Sequence, residues 1–195
     1  MAIKLFNNKY RIDSIRLKNW DYGSNGAYFI TICTKNRKRF FGEIADNEMV
    51  LNDIGCLAHN FWAEIPKHFP FVELGNFQIM PNHTHGILII NKKDFVDETI
   101  IDVDAVETLH CNASTTSTND KNQKMSEISP KPGTISTIIR SYKSVVTNHA
   151  RFIDDGFGWQ ARFWDNIIRD SKSFERIQNY IEKNPKNWKE DKFYN

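Results

Sequence analysis

The stretch that most limits how this chain can fold is Gln78-Ile-Met-Pro-Asn-His83-Thr84-His85-Gly-Ile-Leu-Ile-Ile90. Its second half is an unbroken apolar run, short enough for a strand and lacking the polar alternation of a half-exposed one, so it reads as a central strand buried on both faces. Side chains two positions apart on a strand share a face. His83 and His85 can therefore converge on one ligand, a metal ion or a phosphate, for which neutral imidazole is well suited.

The chain has 195 residues, room for a single domain over 1–195 with a core of its own. No apolar run approaches the roughly 20 residues that span a bilayer. The first residues show no apolar segment followed by a small-residue cleavage site, so the expected compartment is the cytoplasm, with no membrane partner. Cys33, Cys56 and Cys111 are odd in number and form no C-x-x-C pair, which argues against a disulfide framework. Cys56 and His59 make a C-x-x-H with no second half-site, so a buried thiol is the better reading there. A formal charge of +2 hides an asymmetry: residues 1–40 carry nine Lys/Arg against two Asp/Glu, residues 41–133 six against fourteen, and residues 134–195 eleven against eight. Basic ends around an acidic middle can steer a polyanion even at near-neutral total charge.

Tyr28 to Thr34 is aromatic and β-branched and predicts a strand, with the basic cluster Lys35, Arg37, Lys38 and Arg39 at its end. Leu51, Ile54, Leu57, Ala58, Phe61, Trp62 and Ile65 fall at helical spacing, with Asn52 or Asp53 as the start and Pro66 as the stop. Phe71 to Met80 predicts another strand region, with a hairpin turn at Gly75-Asn76. Residues 91–133 are acidic, then rich in Ser, Thr and Asn, and predict a mobile polar insertion that buries too little apolar surface to offset its ordering entropy. Ile135 to about Arg151 predicts a helix, Trp159 to Arg169 an extended segment with a strand at its end, and Phe174, Ile177 and Ile181 a last helix, capped by Asp170 or Ser171 and stopped at Asn184 by Pro185.

That last helix carries Tyr180 and Asn184 at i and i+4, neighbours on one face. An asparagine oxygen can complete a His83, His85 and Asn184 set for Mg²⁺ or Mn²⁺, leaving positions for water and substrate oxygens. A phenol with an unperturbed pKa of about 10 needs such a cation to attack a phosphate at neutral pH.

Three motifs stand in order: Met80-Pro81-Asn82-His83-x-His85-Gly86, Trp159-Gln160-x-Arg162-Phe163-Trp164-Asp165-x-x-Ile168-Arg169, and Tyr180-Ile-x-x-Asn184-Pro185. In this order they resemble the single-tyrosine HUH transposases of the IS200-like kind, especially the REP-associated tyrosine transposase branch, across roughly Tyr28 to Trp188. The resemblance implies an α+β ferredoxin-like sandwich whose central antiparallel sheet bears the histidines, with helices on one face. It implies metal-dependent nicking and strand transfer of single-stranded or hairpin DNA through a covalent 5′-phosphotyrosine on Tyr180, by a monomer or a homodimer. Thr84 stands where the family usually has a bulky hydrophobe; being β-branched, it still suits a strand.

Lys35, Arg37, Lys38, Arg39, Lys143, Arg162 and Arg169 are the candidate DNA contacts, and Trp159 and Trp164 could stack on unpaired bases. Tyr142 is the rival nucleophile, although its i+3 and i+4 neighbours are Val145 and Val146; His149, at i+7 from Tyr142, is a minor rival as ligand. Two further functions stay open: a catalytically silent DNA-hairpin-binding relative, and an unrelated metal hydrolase built on the H-x-H.

Overall fold

The fold follows from six strands and four helices in a computed structural model that describes residues 16–17, 19–92 and 131–194. In chain order they are β1 (Gly26–Cys33), β2 (Gly42–Ala45), β3 (Glu48–Leu51), α1 (Asp53–Ala63), α2 (Ile65–His68), β4 (Val72–Met80), β5 (His83–Ile90), α3 (Ile135–Ala150), β6 (Trp164–Ile168) and α4 (Ser171–Lys183). Short 3-10 turns occupy Lys35–Arg37 and Trp188–Glu190. The main sheet runs β4-β5-β1-β6 with every neighbour antiparallel. With the β2–β3 hairpin and the single-turn α2 set aside, β1-α1-β4-β5-α3-β6 is the strand–helix–strand pattern, twice over, of a ferredoxin-like α+β sandwich.

The apolar run Ile87–Ile90 lies in β5, an interior strand paired with β4 on one side and β1 on the other. Its even-numbered residues face α1 and α3: Leu88 and Ile90 join Tyr28, Ile30, Trp62, Ile138 and Ile139 in the larger core. Its odd-numbered residues face the other way, where Ile87 packs with Phe29, Ile177 and Ile181. The two crossover helices thus share one face, as expected, and α4 lies across the opposite face, the one that carries the histidines. The apolar stripe of α4 has nowhere else to be buried.

Local chemistry sets the element ends. The Asn52 side chain accepts from the Gly55 N–H to start α1, Thr134 caps α3, and Asp170 accepts from the Ser173 N–H at 2.8 Å to start α4. Pro66 does not stop α1; it sits in the first turn of α2, where a missing N–H costs nothing.

The structure departs from the sequence reading at several further points. Cys56, expected as a buried thiol, is exposed. Gly75-Asn76 is not a hairpin turn but a register shift between Leu74 and Phe77 within β4. A Cβ on Gly75 would come within 2.9 Å of Ile87 Cβ, so glycine admits the close approach that the bulge requires. The real turn follows Met80, at Pro81-Asn82. The β2–β3 hairpin was not anticipated, although Asp46 and Asn47 take the positive φ values of 50° and 64° that a tight primed turn demands. Finally, the last helix ends at Lys183 with Asn184 as its C-cap, as expected, but Asn184 itself keeps helical backbone angles (φ −58°, ψ −41°) despite Pro185, and the chain continues in turns to Trp188. Of the polar insertion expected at 91–133, residues 93–130 lie outside the described residues, as does Cys111.

Candidate active site

Register brings the polar residues together. His83 pairs with Cys33 and Met80, and His85 with Thr31 and Gln78. All six side chains therefore project from the sheet face that α4 crosses. Both imidazoles are closed to solvent, with ring centroids 4.4 Å apart.

The Asn82 amide donates from Nδ2 to the Phe193 carbonyl at 2.8 Å, which leaves its Oδ1 as the acceptor 2.9 Å from His83 Nδ1. His83 Nδ1 must then carry the proton, and Nε2 is left as a bare lone pair. That atom is buried without a hydrogen-bond partner. Burial, with a smaller contribution from the positive charges of Lys192 and Arg37, pulls the His83 pKa down to about 3, so the imidazole is neutral at physiological pH. Burial and its neighbour His83 hold His85 well below the usual histidine range too. His85 Nδ1 lies 2.9 Å from Thr31 Oγ1, a hydroxyl that can give or take a proton, so Nε2 is free to act as donor or acceptor.

Tyr180 and Asn184 arrive on α4. The phenol oxygen stands 3.2 Å from His85 Nε2 and donates to Asp191 Oδ2 at 3.3 Å, while Tyr180 as a residue is 41% exposed. Desolvation first, then the Asp191 charge and its hydrogen bond, push the Tyr180 pKa up to about 12. Asn184 donates from Nδ2 to the same Asp191 oxygen at 2.8 Å, and its own Oδ1 is buried without a partner. Asp191 is fixed in turn by the Phe193 N–H, 2.7 Å from Oδ1. Ligand atoms of His83, His85 and Asp191 all lie within 4.8 Å of one another. Two orphaned buried atoms, His83 Nε2 and Asn184 Oδ1, beside a carboxylate and a second neutral imidazole, fit a divalent cation, which would supply the partner that each lacks.

Sequence reasoning did not find Asp191, Thr31 or Asn82 as members of this cluster. Thr31 could have been found by pairing β1 against β5, and Asn82 by its position beside His83. Asp191 offered no spacing signal, since it reaches the cluster only because the chain turns back after α4.

The rivals fall outside the cluster. Tyr142 is buried on the opposite face, donates to the Ala58 carbonyl at 3.1 Å and packs edge-on against Trp62. His149 lies on α3, its Nδ1 2.9 Å from the Val145 carbonyl. Thr84 is fully buried and points away from the histidine face. The candidate DNA contacts split into groups. Lys35 and Lys143 line a groove beside α3, whereas Arg37 and Arg39 stack on Phe193 and Tyr194 of the C-terminal segment. Lys38, Arg162 and Arg169 are exposed, and Lys38 reaches over Phe40. Trp159 is wedged among Phe41, Tyr142 and Phe157, while Trp164, 39% exposed, meets Phe29 edge-on and lies under Lys192.

Comparison with known proteins adds two findings. An uncharacterised protein of Haemophilus influenzae is 39% identical over 182 residues, which cover 93% of this chain and 92% of that protein. The two belong to one family. The solved structure of a REP-associated tyrosine transposase bound to a REP hairpin superposes with a TM-score of 0.52 at 18% identity, covering 89% of this chain and 74% of that one. The chain thus has the fold of a tyrosine transposase, as the three motifs imply. No protein-family model matches it. Among the described residues, no helix is long and apolar enough to cross a membrane.

Proposed function

We propose that this protein is a metal-dependent transposase-type nuclease that nicks single-stranded DNA near hairpins and transfers the strand through Tyr180. The observation that carries the reading is the Tyr180 hydroxyl 3.2 Å from His85 Nε2, in one cluster with Asn184 and Asp191. His83, His85 and Asn184, with Asp191 beside them, would hold Mg²⁺ or Mn²⁺. When bound, the ion supplies positive charge that polarises the scissile phosphate and favours the phenolate.

The rest is work for the chain's own residues. Tyr180 Oη forms a bond to phosphorus as the P–O3′ bond breaks, which leaves a 5′-phosphotyrosine and a 3′-hydroxyl. Asp191 Oδ2, already hydrogen-bonded to the phenol, takes its proton, and the leaving 3′-oxygen takes one from water. Attack by a 3′-hydroxyl on the phosphotyrosine reverses the step and completes strand transfer. Arg37, Lys38, Arg39, Arg162 and Arg169, all exposed, would meet the DNA backbone.

Incubation with hairpin-bearing single-stranded DNA and Mn²⁺ should give a covalent protein–DNA adduct that Tyr180→Phe abolishes. An adduct in that variant would sink the assignment. Hairpin binding that survives EDTA, with no adduct under any metal, would replace it with the silent binding protein.

A further inference from the structure

Of the two tryptophans that could stack on bases, Trp159 is packed into the core among Phe41, Tyr142 and Phe157, whereas Trp164 stands on the sheet face of the histidines. Strand register sets Gln78, His85, Thr31 and Trp164 in one row across that face. Two strand spacings of roughly 4.8 Å put Trp164 about 10 Å from His85 along the row. Thr31, between them, is the residue whose hydroxyl lies 2.9 Å from His85 Nδ1. The rings of Trp164 and Tyr180 both meet the ring of Phe29 edge-on, with centroids 5.7 and 6.1 Å away. Phe29 is buried while the other two are exposed, so two accessible rings share one apolar support. The strand is pinned from behind, where Asp165 turns to the other face and accepts from the Arg16 guanidinium at 2.9 Å. Lys192, also exposed, holds its ammonium 5.7 Å from the Trp164 ring centroid and 4.8 Å from that of Phe193. Among the described residues no carboxylate is in salt-bridge range of that ammonium.

We infer that Trp164 and Lys192 form a nucleotide subsite beside Tyr180, in which the base of an unpaired nucleotide flanking the scissile phosphate stacks on the indole and a phosphate of that nucleotide takes the ammonium. A cation that rests loosely on an aromatic face is easily exchanged for a base, because the lysine stem is flexible and the base offers the ring a larger contact. The displaced charge then meets the phosphate that arrives with the base. Every base has a stacking face, so the subsite orders the strand without reading its sequence. Its use is positional: a nucleotide fixed on Trp164 keeps the neighbouring phosphate at the phenol. The inference rests on the DNA-cleavage reading of the site, and its test reads binding.

The test uses labelled hairpin-bearing single-stranded DNA in EDTA, intact or with one abasic site moved stepwise along the flank, and follows anisotropy over a salt series. Trp164→Ala should weaken binding of the intact strand about fivefold or more, the loss of one base–aromatic stack. At one flank position, removing the base should weaken wild type by a similar factor and Trp164→Ala no further, since both changes delete the same contact. Trp164→Phe, which keeps an aromatic ring, should recover most of that sensitivity. Lys192→Ala should lower the salt slope by about 0.7; an unchanged slope would overturn the part given to the lysine. An unchanged melting temperature certifies the folds. Abasic losses that match in wild type and Trp164→Ala at every position would overturn the subsite, even where the Tyr180 adduct forms. Absence of the adduct with the Trp164 effect intact would overturn the nuclease reading alone.

Discussion

Asp191 takes two donors on one oxygen, the Tyr180 phenol and the Asn184 amide. Its charge is one reason that the phenol is held at about 12, where roughly one tyrosine in ten thousand is ionised at pH 8. Removing the carboxylate removes both its repulsion of the phenolate and the hydrogen bond that holds the phenol neutral. Asp191→Ala should therefore bring the Tyr180 pKa down toward 10, read by ultraviolet difference titration against Tyr180→Phe; an unchanged or higher value would mean that burial alone sets it. The sign matters for activity: a raised acid pKa keeps the nucleophile protonated through the physiological range, so adduct formation in Mn²⁺ should climb with pH until the phenol ionises. Tyr180 and Asn184 differ from Tyr142 in what surrounds them, not in helical context. Tyr142 donates its proton to a backbone carbonyl inside the core, and burial raises its pKa beyond use.

At the scale of elements, β5 is the hinge between two layers. One side of it presents His83 and His85 to α4, and the other presents Gly86 to α1. A Cβ at Gly86 would lie 2.3 Å from Trp62 Cζ2, and Trp62 is fully buried with no room to retreat. Glycine is thus what lets α1 lie close against the histidine strand. Gly86→Ala should cost about 2 kcal/mol or more of stability by overpacking, measured by urea denaturation; a loss below about 0.5 kcal/mol would show that α1 shifts freely. The C-terminal segment is the second element that makes the site. Trp188 and Phe193 are buried against Met80, Arg37 donates to the Lys192 carbonyl, and the Phe193 ring stands 4.5 Å from His83. This anchoring is what carries Asp191 to the histidines.

For the whole molecule, the candidate cation cluster joins the central strand, the last helix and the C-terminal segment, so an ion bound there should stabilise the entire fold. A divalent ion at one hundred times its Kd contributes about 2.7 kcal/mol, roughly 5 to 10 °C in Tm for a chain of this size. Mn²⁺ should raise the Tm of the native protein by that order and leave His83→Ala nearly unmoved; an equal rise in both would place the ion elsewhere. Much of this arrangement is legible in the residues alone. The apolar run of β5, the helical stripes of α1, α3 and α4 and the caps at Asn52 and Asp170 act over a few residues, where periodicity and side-chain chemistry dominate. So does the pairing of His83 with His85 and of Tyr180 with Asn184, each set by the repeat of its own element. What local pattern leaves open is which elements meet. Strand register put Thr31 beside His85, the crossing of α4 over the histidine face set Tyr180 against Nε2, and the fold-back of the C-terminal segment delivered Asp191. Those contacts depend on apolar surfaces finding one another across about a hundred residues of chain, and no spacing in the sequence encodes that.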